Sequence, residues 1–224
     1  VTAEEDAGDV RARARVHAHA GGESRALRQA VARSEGDDAA AYVAFGGASH
    51  QLFGRILPEL DESMVPVLVM RGGLTMYTVY RSMTAYRPSG VVVPHRKTFP
   101  SDGLPSITYL DIPCRRSGGC PSYLLLDPIV NSGQTIVSVV RRIRDLVARP
   151  RFQVATLFLS DRGARAMCAE DPDMQIHTMW AGVEVGADGR LVGVPVDSGD
   201  CAFGGRAERV RWVRGSDDAE PVDP

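Results

Sequence analysis

Apolar residues recur along this chain in two periods. Between positions 23 and 60 the spacing is helical. ESRALRQAVARS (23–34) predicts one helix. Residues 38–60 predict a second, with Tyr42, Phe45, Leu52, Phe53 and Ile56 at apolar positions and Gly46-Gly47 as a candidate break. From Val65 onward, short β-branched runs alternate with helical patterns. VPVLVMR (65–71) reads as a buried strand, too short for a typical helix, and Gly72-Gly73 turns it into the helical pattern LTMYTVYRSMTAY. GVVVPHR (90–96) and ITYLDIP (107–113) read as strands, with the loop-like KTFPSDGLPS between them. CRRSGGCPS is a turn, and YLLLDPIV (123–130) is the next strand. A helix follows over 133–147 and ends before Pro150. FQVATLFLS (152–160) predicts a strand and DRGARAMCAED a short helix. MQIHTMWAGVE (174–184) predicts a strand running into a loop, and GADGR a hairpin-type turn signalled by Asp188-Gly189.

Strands alternating with helices predict an α/β fold, a mostly parallel sheet flanked by helices. The expected layout is an N-terminal helical arm over 1–60 and an α/β domain over 61–205. Residues 1–9, acidic and small, predict disorder, and the charged residues 206–224 a loose tail. There is no internal repeat.

Composition narrows the function classes. The 224 residues are 44% hydrophobic and carry a formal net charge of −2. Such a chain can bury a sizeable core but offers no overall basic field, so no nucleic-acid partner is expected. Arginine supplies nearly all the positive charge, Lys97 being the single lysine. Cys114, Cys120, Cys168 and Cys201 fit no zinc spacing. Reduced thiols are expected, with a Cys114–Cys120 clip as the alternative. Nothing reads as a signal peptide, and no apolar run approaches the ~20 residues of a membrane span. A cytoplasmic protein with no membrane partner is the expectation.

The segment with the most chemistry is YLLLDPIVNSGQT (123–135). An apolar strand ends on Asp127, and the polar loop Asn131-Ser132-Gly133-Gln134-Thr135 opens a helix. Unpaired N–H groups and the helix dipole favour an anion at such a helix start. Ser132 and Thr135 add hydroxyl donors, and Gly133 lets the backbone approach a phosphate. Asp127 is placed to face a ribose or a metal ion. The same order of strand, acid, turn and helix also occurs in α/β proteins with no ligand there. The loop is neither G-x-x-x-x-G-K-[ST] nor G-x-G-x-x-G. Three loops of interest fall at strand ends where parallel sheets bind ligands: Arg71-Gly72-Gly73, His95-Arg96-Lys97 and 127–135. No Ser-His-Asp or Cys-His constellation stands out.

Four segments, in order, resemble the uracil phosphoribosyltransferase branch of the type I phosphoribosyltransferases. VPVLVMRGGLTM resembles that family's V-P-I-L-R-A-G-L-G-M. LLLDPIVNSGQT resembles its V-D-P-M-L-A-T-G-G-S loop. DPDMQIHTMWAGVEVGADGRLVGVPVDSGDCAFGG resembles its H-P-D-V-x-I-Y-T…G-Y-I-x-P-G-L-G-D-A-G-D-R-x-F-G. This match keeps Pro172, Asp173, Thr178, Gly189, Asp197, Gly199, Asp200, Phe203 and Gly204. HRKTFPSDGLPSITYLDIP stands at the position of the family's mobile loop. The resemblance covers roughly residues 60 to 205.

The resemblance implies a phosphoribosyltransferase fold with a small base-binding hood over 174–205. It also implies phosphoribosyl diphosphate (PRPP) and a small acceptor as partners, Mg2+ as cofactor, and a homodimer. Asn131, Ser132, Gly133, Gln134 and Thr135 would hold the 5-phosphate, and Asp127 the ribose hydroxyls. Arg71 and Gly72 would hold diphosphate, with Arg96 and Lys97 closing over it. Asp197 would stand beside ribose, diphosphate and the metal. Arg71, Arg96 and Asp197 thereby become the catalytic candidates. Leu191, Val196 and Ser198 would face the base, joined by Trp180 and Arg190; for Trp180 a place in the core is the competing reading.

The departures cluster. The family's I-D-x-G-L-N becomes Ala181-Gly182-Val183-Glu184-Val185-Gly186, its Tyr before the base-reading backbone becomes Arg190, and its P-G-L-G becomes Gly193-Val194-Pro195-Val196. The sugar side is kept and the base side rewritten. In the phosphate loop T-G-G-S becomes S-G-Q-T, losing one glycine. The leading expectation is therefore transfer to an acceptor other than uracil, in specialised metabolism. Plain uracil salvage and a non-catalytic PRPP sensor or RNA-binding regulator remain as alternatives. The only basic patch noted for the last is Arg141-Arg142-Ile143-Arg144.

Overall fold

The computed structural model describes residues 15–21, 24–95, 103–113, 121–195 and 197–203. Arg96, Lys97, Val196, the Cys114–Cys120 segment and both chain ends lie outside the described residues. In chain order the elements are β1 (Val16–Ala18), α1 (Ser24–Arg33), α2 (Asp38–Ile56), β2 (Val65–Val69) and α3 (Gly73–Met83). Then come β3 (Gly90–His95), β4 (Ser106–Asp111), β5 (Ser122–Leu126), β6 (Ile129–Val130) and α4 (Gln134–Arg144). The last are β7 (Arg151–Leu159), α5 (Asp161–Glu170), β8 (Gln175–Trp180) and α6 (Ser198–Phe203).

The strands form one sheet in the order β1-β8-β7-β5-β2-β3-β4, with β6 also paired to β7. Every pair is parallel except β3–β4. The α/β sheet expected from the sequence is thus observed, with one antiparallel edge strand. The full burial of β2 and β5 explains their unbroken apolar runs. Leu124 and Leu126 enter one core cluster, and Tyr123 and Leu125 the other, as the two-residue period of a strand requires.

Helices cover both faces. Phe45, Leu52, Phe53 and Ile56 of α2, with Met76 and Tyr80 of α3, fill the first core. Ile136, Val139, Val140 and Ile143 of α4 fill the second, at the i, i+3, i+4, i+7 spacing of one helical face. A fully buried side chain of this size contributes ~1.5–3 kcal/mol.

Several local outcomes differ from the sequence expectation. Residues 16–18, in the segment expected as a helical arm, form a strand on the sheet edge. Their register is Val16↔Ile176, His17↔His177 and Ala18↔Thr178. A three-residue VHA strand carries no periodic signal, and only its partner β8 makes it one. The helix expected over 38–60 ends at Ile56 and tightens into a 3-10 turn containing Pro58. Gly46-Gly47 does not break α2. A side chain on Gly47 would meet Leu27 of α1 at 3.1 Å, so the glycine permits close helix packing. The strand expected over 123–130 divides at Asp127-Pro128. Proline has no N–H for the ladder, while its carbonyl accepts from the N–H groups of Leu157 and Phe158, both at 3.0 Å.

Candidate functional site

The strand order reverses between β2 and β5. From β2 the chain moves outward through α3 to β3, and from β5 it moves the other way to β7. The carboxyl ends of these two neighbours flank the crevice in which open α/β sheets bind ligands. Arg71-Gly72 follows β2 there, and Asp127-Pro128 follows β5. The Met70–Arg71 peptide bond is cis.

Close backbone approaches bring a third segment to this crevice. A side chain on Gly72 would collide with Ser198 Oγ and lie 3.5 Å from Pro128. One on Gly73 would strike the Leu126 carbonyl. One on Gly199 would come within 2.9 Å of both Arg71 Cβ and Asp197 Oδ1, and 3.3 Å of the Gly72 nitrogen. Asp197 is exposed, and its Oδ1 accepts from the Gly199 N–H at 2.7 Å. Arg71, Gly72, Asp197 and Ser198, far apart in sequence, are therefore neighbours. Ser198 is buried between them and α6 packs on α2 and α3.

The 131–135 loop opens α4 as expected. Gly133 stands at the N-terminal boundary of the helix with φ 73°, a conformation only glycine adopts freely. Its carbonyl accepts from Val137 N–H at 3.0 Å. Ser132 Oγ lies 3.5 Å from the Gln134 nitrogen, a long contact. The loop rests on the start of α5. The Ser160 hydroxyl donates to the Asn131 carbonyl and accepts from the Gly163 N–H at 2.9 Å. A side chain on Gly163 would come within 2.7 Å of the Asn131 carbonyl oxygen. Sequence reasoning passed over Ser160 and Gly163; the signal was an N-capping serine directly after a strand, three residues before a glycine.

The segment after β8 folds over this end of the sheet. Val185 bridges Leu191, Val192 N–H donates to the Glu184 carbonyl at 2.8 Å, and Gly186 N–H donates to the Arg190 carbonyl at 2.7 Å. The turn reaches the 131–135 loop: Asn131 Nδ2 donates to the Gly189 carbonyl at 2.5 Å. Arg190 is exposed, and its N–H donates to Asp188 Oδ1 at 3.0 Å. Leu191 is buried. Trp180 is buried too, its ring 4.5 Å from that of Phe158, in one core cluster with Val183, Leu191 and Val194. Among the predicted acceptor-side residues, Trp180 and Leu191 are thus the floor beneath the turn, and Arg190 is the open one.

The Arg141-Arg142-Ile143-Arg144 patch is largely neutralised within the fold. Arg141 and Arg144 pair with Glu170 at 2.8 and 3.2 Å, and Arg144 also pairs with Asp171 at 3.1 Å. Among the described residues no group of three or more His, Cys, Asp or Glu could hold a metal alone. No described helix is long and apolar enough to cross a membrane.

This fold is that of an open α/β protein with a crevice at the switch point of its sheet. A family model described as uracil phosphoribosyltransferase matches residues 51–205, well over half the chain. The chain belongs to the uracil phosphoribosyltransferase family. It is similar to a curated uracil phosphoribosyltransferase of Methanococcus maripaludis, 30% identical over 81 residues, 36% of this chain and 35% of the relative. The match thus spans about a third of that relative's length. Among solved structures, the AQ2163 protein from Aquifex aeolicus shares the fold at TM-score 0.71 and 13% identity, over 84% of this chain and 97% of that one. The orotate phosphoribosyltransferase of Mycobacterium tuberculosis, solved with PRPP, aligns at TM-score 0.48 and 19% identity over 74% of this chain and 96% of that one.

Proposed function

We propose that the protein transfers the 5-phosphoribosyl group of PRPP to a small acceptor other than uracil. One observation carries this reading. The segments that keep the family's motifs, 71–72, 127–135 and 197–199, converge at the switch point, whereas the described part of the rewritten segment, 181–195, forms the largely exposed cover beside them. A protein that kept the donor side and changed the cover would keep the reaction and change the acceptor.

In the reaction, the bond between the anomeric carbon and the diphosphate oxygen breaks. Diphosphate leaves with the electron pair, a bond forms to the acceptor, and the acceptor's proton passes to solvent. The start of α4, with Ser132, Gly133, Gln134 and Thr135, holds the 5-phosphate. Asp127 holds ribose hydroxyls and favours the positive charge that develops on the sugar. Arg71 and the Gly72 backbone face the diphosphate as its charge grows, where a fixed cation gains most. Arg96 and Lys97 follow β3, the neighbour of β2, so their segment starts from the same end of the sheet. Asp197 stands beside Arg71 and is open to solvent. Mg2+ suits such a place, because it takes one or two carboxylates and fills its sphere with substrate oxygens and water. When bound it supplies charge neutralisation of the leaving diphosphate. Ser198, Val196 and Arg190 line the acceptor side in this reading, and Arg190 favours an acceptor with a carboxylate or several carbonyls. A cytoplasmic homodimer completes the proposal.

Diphosphate release measured with PRPP over a panel of acceptors tests it. The panel holds uracil, orotate, purine bases and cyclic carboxylic acids. A polar pocket built for one donor and acceptor pattern rejects a mismatch by up to ~10⁴–10⁵. An acid-bearing acceptor should turn over and uracil should lag far behind. Uracil efficiency at or above ~10⁴ M⁻¹s⁻¹, within the usual enzyme range, would restore plain uracil salvage. PRPP binding with no acceptor turned over would favour the sensor.

A further inference from the structure

Asn131 occupies an unusual place. The family's loop has alanine where this chain has Asn131, as the pairing of V-D-P-M-L-A-T-G-G-S with LLLDPIVNSGQT shows. Its backbone is fixed from below, because its carbonyl accepts the Ser160 hydroxyl at the start of α5. Its side chain points the other way, across 58 residues of sequence, and donates to the Gly189 carbonyl at 2.5 Å. Gly189 is the tip of the 186–190 turn. Its N–H donates to the Gly186 carbonyl at 2.9 Å, and its φ of 77° is one that side-chain-bearing residues rarely adopt. That conformation is part of what presents the carbonyl to Asn131. The next residue is Arg190, whose N–H and carbonyl are both engaged within the turn.

We propose that Asn131, which the resemblance counts among the phosphate-holding residues, is instead a positioning residue: its side chain does not hold the phosphate but ties the 186–190 turn, and with it Arg190, to the 131–135 loop. The inference rests on the donor and acceptor sides assigned above. It adds that they are mechanically joined by one side-chain hydrogen bond that the alanine of the family's loop motif could not make. Seating PRPP stiffens the loop, and the bond passes that order to the cover over the acceptor. By reciprocity a seated acceptor tightens PRPP by the same factor. The rewritten cover is also held to the core by the buried Val183, Leu191 and Val194 and by the Val183 N–H, which donates to the Leu159 carbonyl at 3.0 Å.

Hydrogen exchange of the ligand-free protein tests the tie without reference to any reaction. In Asn131→Ala, amides of 185–192 should exchange about 3- to 10-fold faster, the scale of one lost neutral hydrogen bond. Amides of α2 should not change. Asn131→Asp keeps the shape but offers no donor to a carbonyl, so it should loosen the same amides and serves if the alanine variant folds poorly. Thr135→Ala should show the opposite pattern, weaker PRPP binding with unchanged exchange in the turn. Calorimetry should find PRPP affinity of Asn131→Ala within about twofold of the parent, and in the parent alone PRPP should slow exchange over 185–192. With a working acceptor, its KM should rise about 3- to 10-fold while kcat holds. Unchanged exchange in both Asn131 variants would overturn the proposal. So would a tenfold loss of PRPP affinity in Asn131→Ala with the turn undisturbed, which would make Asn131 a phosphate ligand. Failure of the parent to bind PRPP would instead overturn the donor-site reading, with the ligand-free exchange still deciding the tie.

Discussion

The 131–135 loop and the 181–195 cover are joined by one side-chain hydrogen bond and are built on opposite principles. The loop grows out of the core. Val130 before it and Ile136 to Val140 after it are buried, and Ser160 and Gly163 clamp it from below. The cover is a run of exposed residues, Glu184, Val185, Ala187, Asp188, Arg190, Val192 and Gly193, pinned by three buried side chains. A loop welded to two helix starts and a sheet cannot change without cost to the fold. A turn held by its own backbone bonds can. Most departures from the family's motifs fall in the second region, while the loop keeps its Asp-Pro start, its Gly133 and a hydroxyl at each end and changes at Asn131 and Gln134.

Four experiments would sharpen or break this contrast. The largest effect on stability is expected beneath the loop. Phe158 is fully buried, its ring packs on Trp180, and its N–H reaches Pro128. Phe158→Ala should cost about 3–5 kcal/mol, whereas Val192→Ala on the half-exposed cover should stay within about 0.5 kcal/mol. Urea unfolding of the two variants compares them directly, and equal losses would mean that the cover is as much a part of the core as the loop. Next, Arg71→Ala should lower turnover by about 10²–10³, with a much smaller change in the KM for PRPP. Full turnover in steady-state kinetics would remove Arg71 from the chemistry.

A third test concerns β8, the strand that feeds the cover. The His177 ring stacks on those of His17 and His19 at 5.2 and 5.7 Å, and its Nε2 contacts Gln153 Oε1 at 3.0 Å. Burial, with His17 and His19 adding to it, lowers its pKa to about 4. His19, next to Glu59 and Arg55, is lowered too, chiefly by burial. Above the unfolded value of 6.5 the ring is neutral in both states. As pH falls toward 4 the unfolded chain binds a proton that the native one refuses, so stability declines across that window. By pH 5 the loss should reach about 2 kcal/mol. His177→Gln should remove most of that slope in urea titrations at pH 7 and 5. An identical slope would show that the edge histidines do not govern it. A fourth effect, of similar size, is on binding. Thr135→Ala should weaken PRPP by ~1.5–3 kcal/mol, the range of hydrogen bonds to charged groups. Unchanged affinity by calorimetry would take the hydroxyl out of the site.

The strands and helices from Val65 to Trp180 were legible in the sequence. Their periods follow from burial on both faces of a parallel sheet, and burial leaves its mark on residue type. The strand, acid, hydroxyl loop and helix over 123–135 was legible for the same local reason, since each part is contiguous in the chain. Asn131 was legible only as a member of that loop, and nothing along the chain distinguishes it from its neighbours. What only the tertiary structure decided is which distant segments meet. The VHA strand exists because β8 offers it an edge. Arg71, Ser198 and Gly199 share a crevice because three glycines lack side chains that would hold the segments apart. The amide of Asn131 finds a carbonyl 58 residues away only once β7, α5 and β8 have been laid between them. Such contacts depend on single atoms in nonrepeating backbone, which impose no period on the sequence and so leave nothing in it to read.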